Sequence, residues 1–377
     1  MGRAGAAGQS PRPETPGEAI FVRGLTSPSL LPLAVCAILL PSVVRAQSLI
    51  PDEPTCRGCT ITMAEIVTLG DDPRAHMPGV PRSVVQDGTG RYWITYTSTL
   101  PLVYRSDGRL IRELGPEGDG PGEFRRPVSV EPLPGDSVLV RDQGRGAVFV
   151  LRSDLTVVRT VAVKESLGPQ VVLEWPDIVF FKGRGRVDPS VVPAVYINAA
   201  FKLASLGTEQ LRVVNSIGEG WGGGGVAVAG PFAVWTWEYN PYRLERWTAG
   251  GERTHLIERQ PSWFPDSAVP MAPVHRGQRP PAHLQAAQQD EAGRLWVFAN
   301  VPVKVWPEGD AVHPGNAMDE YYRTRVEVID PEAGRVIAST MLDAWIVSAL
   351  PGQRAAVYGT NEMGAPFVRI VQLRLVQ

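Results

Sequence analysis

Lysine is nearly missing from this chain: of 37 basic residues only Lys164, Lys182, Lys202 and Lys304 are lysine, and the arginines are dispersed among 39 acidic residues. Without a basic stripe there is nothing to track a phosphate backbone, so nucleic acid is not an expected partner. Charge is also sparse, at 20% of residues against 44% hydrophobic, with a formal net charge of -2. That balance excludes a disordered chain and leaves enough apolar material for a folded core. Catalytic signatures are lacking too: there is no HExxH, no GxSxG elbow and no P-loop lysine. Residues 218–223 literally match GxGxxG, but a strand pattern follows rather than a helix, so they read as a loop. Apolar runs are short. The longest, LLPLAVCAILL at 30–40, has 11 residues and cannot span a bilayer as a helix.

That run follows Arg3, Arg12 and Arg23 and leads into Val44-Arg45-Ala46, the layout of a secretory signal peptide cleaved after Ala46. Cys36 lies inside the run in the wrong context for lipidation. Residues 1–46 are therefore expected to be a leader, and the protein to be secreted or periplasmic with no membrane span after cleavage. Residues 47–60 form a tail carrying Cys56 and Cys59. In an oxidising compartment this close pair is expected as a disulfide that ties the tail down. A haem site would need His at position 60, which is Thr, and zinc would need two further ligands.

What the chain does have is glycine, 39 residues, and proline, 35 residues, spaced by short β-branched runs. That excess argues against a helix-rich protein. The clearest unit covers 112–161, with strands expected at 128–131, 137–141, 147–151 and 156–161 and turns at Pro134-Gly135-Asp136, 143–146 and Ser153-Asp154. The cadence recurs at 83–86, 92–96, 102–105 and 110–114, then at 171–174, 178–182, 201–205 and 210–217. It continues at 226–229, 233–237, 243–247 and 252–258, and at 284–288, 295–299, 325–329 and 335–340. A last copy at 345–349, 354–358 and 366–373 lacks a fourth strand, which 61–69 is expected to supply from the other end of the chain. The fold class expected for 61–377 is thus all-β: a six-bladed β-propeller of four-stranded antiparallel blades, closed by the N-terminal strand. A seventh, degenerate blade in 260–281 is the alternative.

Gly118-Asp119-Gly120-Pro121-Gly122-Glu123-Phe124, then Pro127, Gly135-Asp136, Arg141-Asp142 and Val148-Phe149-Val150, resemble the NHL repeat. Leader, CxxC and repeats together resemble secreted six-bladed propeller proteins of environmental bacteria. The resemblance implies ligand or protein binding as the usual use, with lactonase-like and peptide-amidating lyase-like propellers as enzyme relatives.

Two insertions, 183–200 and 300–324, interrupt their units between second and third strands and build up the same face as the loops between units. Arg82, Arg126, Gln170, His283 and Asp343 enter innermost strands on that face. The arginines and histidine suit an anionic group; alternatively Arg82 and Arg126 bond carbonyls at the crowded centre. Trp235, Trp237, Glu238, Tyr239, Asn240 and Tyr242 form a second group, suited to sugars or peptides or else to packing between units, and Tyr321 and Tyr322 share that ambiguity. The functional expectation is a non-catalytic, monomeric scaffold binding an extracytoplasmic protein, peptide or glycan through candidates that include Tyr239 and Asn240. No cofactor is expected. The competing expectation is a metal-dependent hydrolase or lyase, with Ca²⁺ or Zn²⁺ held by His283, Asp343 and an acid from another blade.

Overall fold

The computed structural model describes residues 50–71, 77–133, 135–162, 167–174, 178–184, 196–202, 210–217, 224–230, 233–248, 252–265, 279–305 and 318–377, with backbone alone from 167 to 217. The leader 1–46 therefore lies outside the described residues, as do His76, His275, His313 and the glycine-rich 218–223.

Strand β1 covers Thr60–Leu69. Next come β2 (Ser83–Gln86), β3 (Tyr92–Thr95), β4 (Leu102–Tyr104) and β5 (Leu110–Glu113). They are followed by β6 (Pro127–Pro132), β7 (Val138–Asp142), β8 (Ala147–Leu151) and β9 (Val157–Ala162). Further on are β10 (Leu167–Glu174), β11 (Ile178–Arg184), β12 (Tyr196–Lys202) and β13 (Gln210–Ile217), then β14 (Gly224–Val228), β15 (Ala233–Glu238), β16 (Arg243–Thr248) and β17 (Arg253–Glu258). The chain continues through β18 (His283–Gln289), β19 (Leu295–Pro302), the four-residue helix α1 (Met318–Tyr321), β20 (Tyr322–Asp330) and β21 (Arg335–Leu342). It ends with β22 (Trp345–Leu350), β23 (Arg354–Thr360) and β24 (Pro366–Val376).

Each run of four consecutive strands from β2 onward forms an antiparallel meander, and β1 joins β22, β23 and β24 as the fourth strand of the last sheet. Five four-stranded sheets are thus described with their side chains, and the one made of β10 to β13 by backbone pairing. This is an all-β propeller architecture. Alternating apolar residues explain it: both faces of the middle strands are buried, as in β7 and β8, while the outer β9 is mostly exposed. Side chains from neighbouring sheets then share cores, such as Trp93 and Val103 with Val140 and Phe149. No helix among the described residues is long and apolar enough to cross a membrane.

The turns between first and second strands repeat one device. In Gln86-Asp87-Gly88-Thr89-Gly90-Arg91-Tyr92-Trp93, Asp87 accepts from the Arg91 backbone N–H at 3.0 Å, Arg91 Nε at 2.8 Å and the Trp93 indole at 2.8 Å. In Gln289-Asp290-Glu291-Ala292-Gly293-Arg294-Leu295-Trp296, Asp290 receives the same three donors at 2.9, 2.8 and 3.0 Å. Gly90 and Gly293 take φ of 84° and 80°, the left-handed region that glycine enters without steric cost. The Gly-rich segment of the next sheet has a comparable purpose. It seats Phe124 edge-on against Phe149 at 5.1 Å, and Arg145 donates to the Gly120 and Glu123 carbonyls at 3.0 and 2.7 Å.

Two expected boundaries are corrected. The strand expected at 201–205 is β12, five residues earlier, because β11 and β12 extend their shared hairpin to the pair Arg184↔Tyr196. Likewise β19 and β20 pair as far as Pro302↔Tyr322, which shortens the insertion expected at 300–324. Continued pairing satisfies backbone groups that a loop would leave to water.

The tail is bound along a sheet edge. The Thr55 and Cys56 backbone N–H groups donate to the Val336 and Ile337 carbonyls at 2.9 and 3.1 Å, and Cys56 and Cys59 are joined by a disulfide. Ile50 is buried in the core shared by β15, β18 and β19.

Candidate functional site

Ring contacts bring the starts of β18, β20 and β22 together with the end of β15. Tyr239, just after β15, meets His283 edge to face at 5.7 Å; His283 meets Tyr322 at 5.2 Å; and Tyr322 stacks on Trp345 at 6.5 Å. The backbone locks this arrangement, since Leu284 N–H donates to the Tyr239 carbonyl and Thr324 N–H to that of Ala344, both at 2.8 Å. Beneath the rings runs a polar chain. Asn300 Nδ2 donates to His283 Nε2 at 3.3 Å, Thr324 Oγ1 donates to Asn300 Oδ1 at 2.8 Å, and the Ile346 N–H donates to Thr324 Oγ1 at 2.8 Å. Burial outweighs the hydrogen bonds that the ring gives to the Pro281 carbonyl and Gln285, and pushes His283 down to about 4. The ring is therefore neutral across the physiological range.

Arg82 and Arg126 stand immediately before β2 and β6, strands that pack against each other. Both side chains are exposed, and among the described residues neither guanidinium has an acid or carbonyl partner. The arrangement in which they bond carbonyls at a crowded centre is therefore not the one seen. Arg126 is held in place through its backbone: Asp142 accepts from the Arg125, Arg126 and Arg145 N–H groups at 2.7, 2.9 and 3.0 Å. That carboxylate is fully enclosed and occupied by backbone donors. Beside it Arg141, only 4% exposed, lies opposite Ser129 in the β6–β7 register. Burial, reinforced by the like charges of Arg82 and Arg126, lowers Arg141 to about 10. Arg82 also lies within electrostatic reach of Tyr239, whose phenol is raised by burial and eased back by that arginine.

Of the residues singled out from sequence, the structure sets Tyr239 against His283, and places Arg82 and Arg126 just ahead of contacting first strands. The Gln170 side chain lies outside the described residues. Asp343 stands apart from the rings: its carboxylate is 90% exposed and pairs with Arg323. The expected pairing of His283 with Asp343 around a metal does not form, and among the described residues no three His, Cys, Asp or Glu side chains are grouped to hold one. Asn240 is also corrected as a surface contact. It is buried, and its Nδ2 donates to the Pro265 and Ala282 carbonyls at 3.2 and 3.3 Å, anchoring the connection into β18. Trp235 and Trp237 are core residues, the first donating from its indole to Gln289 Oε1 at 3.0 Å. Sequence reasoning did not single out the buried Arg141, although an arginine closing the otherwise apolar run Val138-Leu139-Val140 was the available signal.

An array of guanidinium donors beside aromatic faces can hold an acidic group while stacking its apolar or sugar-like carrier.

No family model and no curated protein matches the sequence. Solved structures do match in fold. A member of the DUF4221 family from Bacteroides vulgatus superposes with a TM-score of 0.58 at 9% identity, over 84% of this chain and 99% of that one. A candidate exported protein from Bacteroides fragilis matches with a TM-score of 0.53 at 9% identity, over 87% and 98%. A structural genomics protein of unknown function from Bacteroides thetaiotaomicron gives 0.51 at 12% identity, over 84% and 76%. At these identities the likeness is one of fold, and the chain is similar to exported and uncharacterised β-propellers.

Proposed function

We propose that this chain is an extracytoplasmic, NHL-like β-propeller that acts as a non-catalytic scaffold, binding a protein, peptide or glycan on the face where Arg82, Arg126, Tyr239 and His283 meet. The observation that carries the reading is a pair of exposed, unneutralised arginines beside a shelf of rings locked by backbone hydrogen bonds. The six sheets are read as blades of one ring, supported by the order of contacts among first strands, β2 to β6, β10, β14, β18, β22 and back to β2. In that reading the pairing of β1 with β24 closes the ring and removes exposed sheet edges.

The leader 1–46 and the likeness in fold to an exported protein of Bacteroides fragilis support export. Mass spectrometry of the mature protein should find Gln47 at the N-terminus. Deleting residues 307–315, which lie outside the described residues within the insertion before α1, should abolish capture of the partner from an envelope extract while leaving the thermal transition in place. A folded deletion variant with normal capture would overturn the reading. The metal-dependent hydrolase reading finds no specific support here, because its ligand pair is not assembled; elemental analysis of protein purified without chelators checks it directly.

A further inference from the structure

We propose that Cys56 and Cys59 form a site of thiol–disulfide exchange, at which the tail takes two electrons from a dithiol on a partner chain. The site lies on the tail and is independent of the scaffold reading above.

As a staple this disulfide adds little. It joins residues only three apart, with 5.4 Å between their Cα atoms, so it closes a very short loop and removes little freedom from the unfolded chain. Both cysteines belong to the tail, so the bond does not fasten the tail to the sheets. Other contacts do that. Ile50 is buried in the core, and Asp52 reaches Arg259 at 3.3 Å. The Thr55 N–H and Oγ1 both donate to the Val336 carbonyl, at 2.9 and 3.0 Å, and the Cys56 N–H donates to the Ile337 carbonyl at 3.1 Å. On the other side of the pair, β1 begins at Thr60, and the Ile61 N–H donates to Thr340 Oγ1 at 3.0 Å.

What the pair has is access and a fixed frame. Both cysteines are partly exposed, and Arg57 and Gly58 between them are exposed. A Cβ built at Gly58 would meet no atom within 4 Å beyond its chain neighbours, so the space over the loop is open to an incoming sulfur. The Cys59 N–H donates to the Cys56 carbonyl at 3.4 Å. This backbone turn, held by sheet contacts on either side, keeps the two sulfurs neighbours once the bond between them is broken. A second sulfur always at hand resolves a mixed disulfide quickly. Arg57 brings a positive charge into the loop, which favours the thiolate that the reaction releases. Residues 47–377 carry no third cysteine to divert the exchange.

In the exchange, a thiolate of the partner attacks one sulfur of the pair. The Cys56–Cys59 bond breaks, the displaced cysteine leaves as a thiolate and takes up a proton, and a disulfide now joins the two chains. The partner's second thiolate then attacks the partner's own sulfur in that bond, and the remaining cysteine leaves and is protonated in turn. The partner is oxidised by two electrons to a disulfide, and Cys56 and Cys59 are reduced by two electrons to thiols, with two protons transferred.

The test mixes residues 47–377, under native conditions, with a synthetic peptide carrying two cysteine thiols, and follows both by mass spectrometry and thiol counting. One peptide disulfide is expected for each Cys56–Cys59 pair reduced, with the thermal transition of the protein kept, and Arg57→Glu should slow the reaction about threefold. In mixtures of reduced and oxidised glutathione both forms of the pair should be populated in the folded protein, whereas a purely structural disulfide resists that pool. Incubated with oxidised glutathione, Cys56→Ser or Cys59→Ser should hold at least tenfold more bound glutathione than reduced wild type, whose second sulfur expels it. Peptide thiols left unoxidised, a pair that glutathione reduces only after urea unfolds the chain, or equal glutathione retention by wild type and both single variants overturns the proposal.

Discussion

Tyr239 and His283 meet edge to face, 5.7 Å between ring centroids, across the junction of two sheets. The contact encloses an imidazole that burial holds at about 4 rather than its ordinary 6.5. A base whose value is depressed in the folded state contributes stability that is complete above 6.5 and lost as pH falls from there toward 4. Wild type should therefore lose about 3 kcal/mol more than His283→Gln between pH 7.5 and pH 4, by urea unfolding. Parallel pH profiles for the two proteins would contradict this.

Asp87 tests the repeated turn. Burial works against its charge, but hydrogen bonds from Trp93, Thr89 and Arg91 outweigh it and lower the carboxyl below its ordinary value. An acid lowered in this way stabilises above its unfolded value, and that gain is lost as pH falls through the folded one. Asp87→Asn turns one acceptor into a donor facing the indole and guanidinium N–H groups. The expected cost is about 3 kcal/mol at pH 7, shrinking in acid, read from denaturant midpoints.

Arg259 and Glu327 form a pair enclosed between sheets, with side chains 0% and 1% exposed. Tyr242 donates to the same carboxylate at 2.7 Å and Ser339 at 3.1 Å, while Asp52 of the tail reaches Arg259 at 3.3 Å. Arg259→Met leaves a buried carboxylate uncompensated and should cost about 3–5 kcal/mol. Asp52→Asn, at a half-exposed position, should cost about 1 kcal/mol or less. Equal effects would show that the tail, not the sheet, supports the pair.

Replacing Cys56 and Cys59 together by Ser opens a loop of only a few residues, so the expected loss is about 2 kcal/mol at most. Since the Thr55 and Cys56 backbone groups still bond to β21, the change should appear as faster proteolysis near residues 50–59, with global unfolding little altered.

Much of the strand plan was readable because propeller strands are short, apolar and bounded by glycine, as at Val138–Asp142 and Ala147–Leu151. The end of β12 was not, since nothing in Tyr196-Ile197-Asn198-Ala199-Ala200 separates a strand from an insertion until its partner β11 is known. At the site, Arg82, Arg126 and His283 were legible from their places ahead of first strands. Asn240 and Asp343 were not, because an exposed polar contact and a buried structural one have the same residue type. Only the carbonyls around Asn240 and the Arg323 beside Asp343 tell them apart. The repeated Gln-Asp-x-x-Gly-Arg-x-Trp string was visible at 86–93 and 289–296, yet its meaning depends on the indole reaching back to the carboxylate.

The pairing of Thr60 with Val376 sets a timetable for the molecule. A strand made early is matched with one made about 300 residues later, so β1 must wait, unpaired, until β24 is synthesised. Loop closure over such a separation is slow, and an unmatched strand invites association with another chain. A chain ended before β24 would keep that edge open for good. Early stop codons should therefore produce aggregation and proteolytic clearance, and joining residue 376 to residue 60 through a short linker should relieve the wait by making the last sheet local in sequence.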